Sequence, residues 1–299
     1  MQRLRHILVG VDLDPTTGSL TEGSRAAASR ALWLAGRTGA GIEYLYSTHR
    51  NSEDELAGKA CSPEAGRAEL EELSQAMGAG AVKLEVTDAP PALALARRVV
   101  ADTSDLVVVG KRNQAQSPDR LLGSISMQLV RGCPSPVWVV KAEQQQRHQA
   151  IVAATDLSAV GDRATEYGAF LAGAEECELW VVHAWQMTLE LQMSASRLGQ
   201  EEFESRQKEI ITAARDHILA LPAVTDLGQR ARPVVVRDAP SRAILAVVAE
   251  SKPDLVVMGT ISRSGVSGFL VGNTAERLLN MLDCSLLTVK PADFICSLE

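Results

Sequence analysis

The stretch from Gly259 to Thr274 is the part of this chain best suited to holding a charged ligand. It is rich in Gly and Ser, follows an apolar run, and leads through Gly272, Asn273 and Thr274 into a helical pattern. Backbone N–H groups at a helix start have no intrahelical partner, and the dipole favours negative charge there. Gly permits close backbone approach, while Asn273 and Thr274 can add side-chain hydrogen bonds. This is the chemistry of a phosphate cradle. A counterpart runs from Gly110 to Gly123 and Ser124, but its interior, Lys111 to Arg120, contains no Gly and is stiffened by Pro118. Lys111, Arg112 and Arg120 could attract an anion, although a solvated polar loop is the simpler account of them.

Other chemistries find little support. The histidines at 6, 49, 148, 183 and 217 show no metal-ligand spacing, and the cysteines at 61, 133, 177, 284 and 296 form no CxxC pair. There is no Gly-x-Ser-x-Gly elbow, no Walker motif, and no Gly-x-Gly-x-x-Gly after a first strand. No carboxylate pair stands out for acid–base work, so no catalytic residue and no metal ligand is assigned. His183 could face a crevice, but a structural role is expected of it. The alternation of Trp185, Met187, Leu189, Leu191 and Met193 reads as a local lid on its own core. The alternative is a pocket for an apolar ligand or a partner.

The elements that must position these residues come in two sets. Asp238-Ala-Pro follows Asp88-Ala-Pro by 150 residues, and Asp254-Leu-Val-Val follows Asp105-Leu-Val-Val by 149. Gly272 and Lys290 stand 149 residues after Gly123 and Lys141. So constant an offset marks a domain duplication. Polar residues 143–149 read as a linker, giving expected domains at 1–142 and 150–299. Strands are expected at 7–11, 42–47, 82–86, 106–109 and 137–140, and again at 151–154, 179–183, 234–236, 255–258 and 286–289. Helices fall between them. Ala27, Ala31, Leu34 and Ala35 give one such helix an apolar face. Pro90 and Pro240 mark helix starts, with Asp88 and Asp238 as candidate caps. Continuous Val/Ile/Leu runs alternating with helices imply α/β domains with a doubly wound parallel sheet.

Composition agrees. The 299 residues are 46% hydrophobic and 22% charged, enough apolar material for two cores. A net charge of −7 argues against non-specific nucleic-acid binding. The run 7–11 is too short for a signal sequence, and no apolar stretch is long enough to span a membrane.

Both copies resemble the universal stress protein family, in particular its tandem, E-type members. ATP-binding members carry Gly-x-x-Gly-x9-Gly-Ser/Thr. The second copy keeps this spacing through Gly259, Ser262 and Gly272, with Ser262 replacing a Gly and Asn273 the final Ser/Thr. The first copy, through Gly110, Asn113, Gly123 and Ser124, departs further. The resemblance implies two Rossmann-like domains with five-stranded sheets, packed as an intramolecular pseudo-dimer through their last strands. It implies a cytoplasmic stress-response binding module with ATP, with or without Mg, in the second domain. There Asp156 would meet adenine and ribose, the Val182 backbone would meet adenine, and Met258, Gly259, Ser262, Gly272, Asn273 and Thr274 would complete the site. Asp12 is the first-copy equivalent of Asp156, in a degenerate site. Asp156 could equally close a turn or cap a helix. A scaffold acting through protein partners, with no nucleotide, is the alternative, and slow ATP hydrolysis the most that is expected of an activity. No nucleic-acid or membrane partner is expected.

Overall fold

Runs of Val, Ile and Leu become strands here because helices can cover both faces of a parallel sheet. The computed structural model describes residues 4–49, 62–111, 122–142, 147–186, 200–260, 273–279, 281–296 and 298. Contacts divide them into two compact units. The first draws its described residues from Gln2–Arg147 and Leu279–Glu299, the second from His148–Gly265 and Gly272–Leu278.

The first unit contains β1 (His6–Val11), α1 (Glu22–Thr38), β2 (Gly41–Ser47), α2 (Glu64–Ala76), β3 (Leu84–Thr87), α3 (Pro91–Asp102), β4 (Leu106–Gly110), α4 (Ser124–Gly132) and β5 (Val137–Val140), together with β10 (Ser285–Val289) from the end of the chain. Its strand order is β3-β2-β1-β4-β5-β10. The first five strands are parallel, and β10 runs antiparallel to β5. The order reverses direction at β1, which lies between β2 and β4, the kind of switch point beside which α/β sheets take ligands. α1 forms as expected. Thr21 accepts a hydrogen bond from the Ser24 N–H, Gly39 ends the helix in a left-handed conformation at φ 73°, and Ala27, Ala31, Leu34 and Ala35 are buried.

In β10, Leu286, Leu287 and Thr288 stand opposite Val139, Trp138 and Val137. Trp138 and Leu287 are 149 residues apart, so the last strands of the two copies meet at corresponding residues. Just beyond β10, Lys290 Nζ donates to the carbonyls of Val130 (2.6 Å) and Arg131 (2.9 Å) at the end of α4. It thereby satisfies acceptors that the helix leaves open. Burial pushes the Lys290 pKa down to about 8.

The second unit contains β6 (Ala150–Thr155), α5 (Ala159–Glu175), β7 (Glu178–Trp185), α6 (Gln200–Ala220), α7 (Pro222–Thr225), β8 (Ala231–Arg237), α8 (Pro240–Ser251), β9 (Leu255–Gly259) and α9 (Asn273–Leu279). The order is β9-β6-β7-β8, all parallel, with the switch at β6.

Three expectations need correction. β7 continues through Trp185, so this residue is a strand residue, not part of a lid; Met187 to Met193 lie outside the described residues. β8 is longer than expected and includes Pro233. Proline lacks a donor but is tolerated in the outermost strand of this unit. Finally, Asp88 and Asp238 cap nothing. The N-cap residues of α3 and α8 are Pro90 and Ala239, without a side-chain cap, and Asp238 Oδ1 instead accepts from the adjacent Ala239 N–H and from Arg242.

Charge gathers around β2 of the first unit. Glu43, 1% exposed along its side chain, pairs through Oε1 with Arg98 Nη2 (2.7 Å) and Lys83 Nζ (2.8 Å), and His6 Nε2 lies 3.6 Å from Oε2. Burial pushes the Glu43 pKa up, but Lys83 and Arg98 outweigh it and hold the carboxyl below the usual range. A carboxyl with a depressed folded pKa stabilises the protein above its ordinary pKa, and that contribution is lost as pH falls through the folded value. Glu43→Gln should therefore cost about 2 kcal/mol near neutral pH and flatten the acid limb of the stability curve below about pH 4. Urea denaturation across pH measures both. Val139→Lys, which places a charge under β10, should cost about 3 kcal/mol or more; unchanged stability by circular dichroism would contradict the pairing seen here.

Candidate functional site

In doubly wound sheets, ligands sit beyond the C-terminal ends of strands at the switch point. In the second unit those ends belong to β6, β7 and β9; the expected residues Asp156, Met258 and Gly259 lie on or just after them, whereas Val182 lies inside β7, which continues to Trp185. β6 is followed by a tight turn. Asp156 Oδ1 accepts from the Ser158 N–H (3.0 Å) and the Ser158 hydroxyl. Ser158 in turn caps α5 by accepting from the Gly161 N–H at 3.3 Å. Leu157 between them has φ 60°, a strained value for a branched side chain. A Cβ on Gly161 would come within 2.5 Å of Thr155 Oγ1 and 2.8 Å of Asp156 Oδ1. Asp156 thus closes a turn just after β6 while its side chain stays exposed.

Val182 is buried within β7, between Ala154 of β6 and Val234 of β8. His183 Nδ1 lies 3.0 Å from the Thr155 carbonyl oxygen, a structural contact at the end of β6. Met258 is buried. Gly259 faces α5, where an added Cβ would stand 2.9 Å from Val160 Cγ1. Ser262 and Gly272 lie outside the described residues, and Asn273 and Thr274 open α9, as the spacing predicts.

Thr260 was not singled out by its sequence context. It follows Gly259 directly, is 1% exposed, and its Oγ1 has no hydrogen-bond partner among the described residues. A hydroxyl buried without a partner is costly. At the root of the Gly- and Ser-rich loop it is a donor awaiting an acceptor. No spacing rule marks a Thr after a strand, so burial alone reveals it.

The first unit places its equivalents differently. The Asp12 N–H donates to Ser24 Oγ (2.7 Å), and Asp12 Oδ1 accepts from the Leu13 N–H (2.9 Å). Gly110, at the end of β4, lies against the first turn of α1. A Cβ there would meet the Gly23 carbonyl carbon at 2.3 Å and its oxygen at 2.4 Å. Lys111, at the position of Thr260, is 4% exposed, and its Nζ donates to the Leu282 carbonyl at 3.0 Å, with Asp283 Oδ1 3.8 Å away. Lys111 is thus neither the anion-attracting nor the solvated loop residue that the sequence allowed: its ammonium meets a carbonyl and a carboxylate of its own unit. Gly123 is the N-cap of α4, without a side-chain cap, and Ser124 is the exposed first helical residue. Asn113, Arg112 and Arg120 lie outside the described residues.

The two strand-end glycines therefore differ in what they tolerate. Gly110→Ala forces backbone against backbone and should cost about 3 kcal/mol. Gly259→Ala meets only a side-chain methyl and should cost about 1 kcal/mol. Equal costs in parallel denaturation curves would contradict this geometry.

No helix among the described residues is long and apolar enough to cross a membrane. The model of the universal stress protein family matches residues 3–141 and 148–290. Universal stress protein E homolog of Haemophilus influenzae is 27% identical over 208 residues, covering 67% of this chain and 66% of that protein, just under two thirds of its length. Universal stress protein E of Escherichia coli is 25% identical over 224 residues, covering 70% and 68%. Among solved structures, the functionally unknown protein PA1789 of Pseudomonas aeruginosa shares the fold with a TM-score of 0.70 at 21% identity, covering 99% of this chain and 96% of that one. A universal stress protein of Archaeoglobus fulgidus gives 0.63 at 20% identity, covering 97% and 99%.

Proposed function

The chain belongs to the universal stress protein family, and from that premise we propose that it is a cytoplasmic stress-response binding module whose second copy holds an adenine nucleotide, ATP with or without Mg. The observation that carries this reading is Thr260. Its buried hydroxyl lacks a partner among the described residues and stands between Gly259 and the loop that leads to α9. A phosphate oxygen supplies the missing acceptor, and the backbone around Gly272, Asn273 and Thr274 the remaining donors. The buried Val182 strand and the turn at Asp156 would flank the base and ribose.

The first copy is the degenerate one in this reading. Lys111 replaces the free hydroxyl and is engaged within its own unit, and Gly110 is occupied by α1. A domain division near residues 142 and 150 goes with this assignment of roles. The rival reading, a scaffold without nucleotide, draws on Asp156 and Gly259, whose contacts are accounted for by local structure alone.

Native mass spectrometry of the freshly purified protein, repeated with Mg-ATP, separates the two. One nucleotide per chain is expected. Thr260→Val should weaken binding about fivefold to tenfold, the worth of one hydrogen bond of about 1 kcal/mol, and Gly272→Asp should abolish it. A protein that ignores ATP at millimolar concentration favours the scaffold, and binding undiminished by Gly272→Asp removes the loop from the site.

A further inference from the structure

Two donors for which the described residues supply no acceptor stand side by side at the C-terminal edge of the second unit. β7 and β8 are parallel neighbours, and their last residues, Trp185 and Arg237, are partners in register. Side chains so paired share one face of the sheet. The Arg237 guanidinium carbon lies 5.9 Å from the centroid of the Trp185 ring and 5.5 Å from that of Phe203, in the first turn of α6. Trp185 is 8% exposed, and its indole Nε1 is buried with no hydrogen-bond partner among the described residues.

Arg237 is exposed, and no carboxylate among the described residues pairs with it. The adjacent Asp238 is already engaged: Oδ1 accepts from the Ala239 N–H at 2.6 Å and from Arg242 Nε at 2.8 Å. Those bonds, the Ala239 one foremost, hold its pKa below the usual range. Among the described residues, the result is a cation without a counterion beside a buried N–H without an acceptor.

The geometry points to an anion-binding subsite formed by Trp185 and Arg237, which takes a carboxylate or phosphate oxygen of a small ligand. The guanidinium supplies charge and the indole N–H a directed bond, while the rings of Trp185 and Phe203 form a flat apolar wall for the body of the ligand. Reaching both donors requires Phe203 to turn off the guanidinium at the start of α6. The subsite is separate from the Gly259–Thr260 loop. β6 lies between β9 and β7, so two to three strand spacings, about 10–14 Å, separate the two. It stands without the nucleotide reading, and each can fail alone.

The test uses the ¹⁵N-labelled full chain and inorganic phosphate, with acetate as the carboxylate arm and NaCl holding ionic strength constant. The chain has 4 tryptophans, and Trp185→Phe identifies the Trp185 indole resonance. That resonance should shift saturably while those of Trp33, Trp138 and Trp180 stay in place. Arg237→Gln should weaken the apparent affinity at least tenfold while leaving the other three indole signals unmoved, which shows that the variant is folded. A response to phosphate alone identifies a phosphorylated ligand, and one to acetate alone a carboxylate. A Trp185 signal that moves with neither anion, or a shift retained in Arg237→Gln, overturns the proposal.

Discussion

Pairing of β10 with β5 holds the first unit together. Val137 to Val140 are all buried, and an uncovered strand of this composition would present both apolar side chains and unpaired backbone groups to water or to other chains. The chain covers it with residues that it makes almost 150 positions later. Lysines reinforce the arrangement from both directions. Lys290, beyond β10, satisfies carbonyls at the end of α4, and Lys111, beyond β4, reaches the carbonyl of Leu282 just before β10. Each ammonium is desolvated in exchange for acceptors that would otherwise be left open, so the last strand is held by polar contacts as well as by burial.

That arrangement has a consequence for the candidate sites. The residue after the fourth strand of each copy sits where a bound phosphate would approach. In the first copy it is Lys111, committed to the β10 segment; in the second it is Thr260, buried and without a partner among the described residues. The helix that follows the first strand diverges as well. In the first copy Gly23 lets α1 press backbone on backbone against Gly110, whereas in the second Val160 holds α5 away from Gly259 by the width of a side chain. The same duplication thus packs differently in its two copies, with the Thr260 hydroxyl left without a partner among the described residues in the second.

Several strained or unsatisfied features of the second unit lie at the C-terminal ends of its strands, although Arg230 Nη1, buried without a partner among the described residues, stands before β8 at the other end. Leu157 in a left-handed conformation, the Thr260 hydroxyl, and the Trp185 indole beside Arg237, the last three without a hydrogen-bond or carboxylate partner among the described residues, lie at or beyond C-terminal strand ends. Buried polar groups are normally paired. The charge network around Glu43 shows the contrast: a carboxylate just as buried, but met by Arg98, Lys83 and His6.

The sequence by itself determined the duplication, the alternation of strands and helices, the buried face of α1, and the start of α9 at Asn273. These follow from local pattern: apolar runs, helical periodicity, and Gly or Pro at turns, all readable within a few residues. Only the tertiary structure decided that Lys111 points to Leu282, that β7 extends to pair Trp185 with Arg237, and that the final strand is counted with the first unit. Whether a polar side chain is free for a ligand depends on which acceptors surround it. For Lys111 the acceptor lies 171 residues away, and for Thr260 none is found among the described residues; contacts made or missed across such separations leave no trace in local spacing.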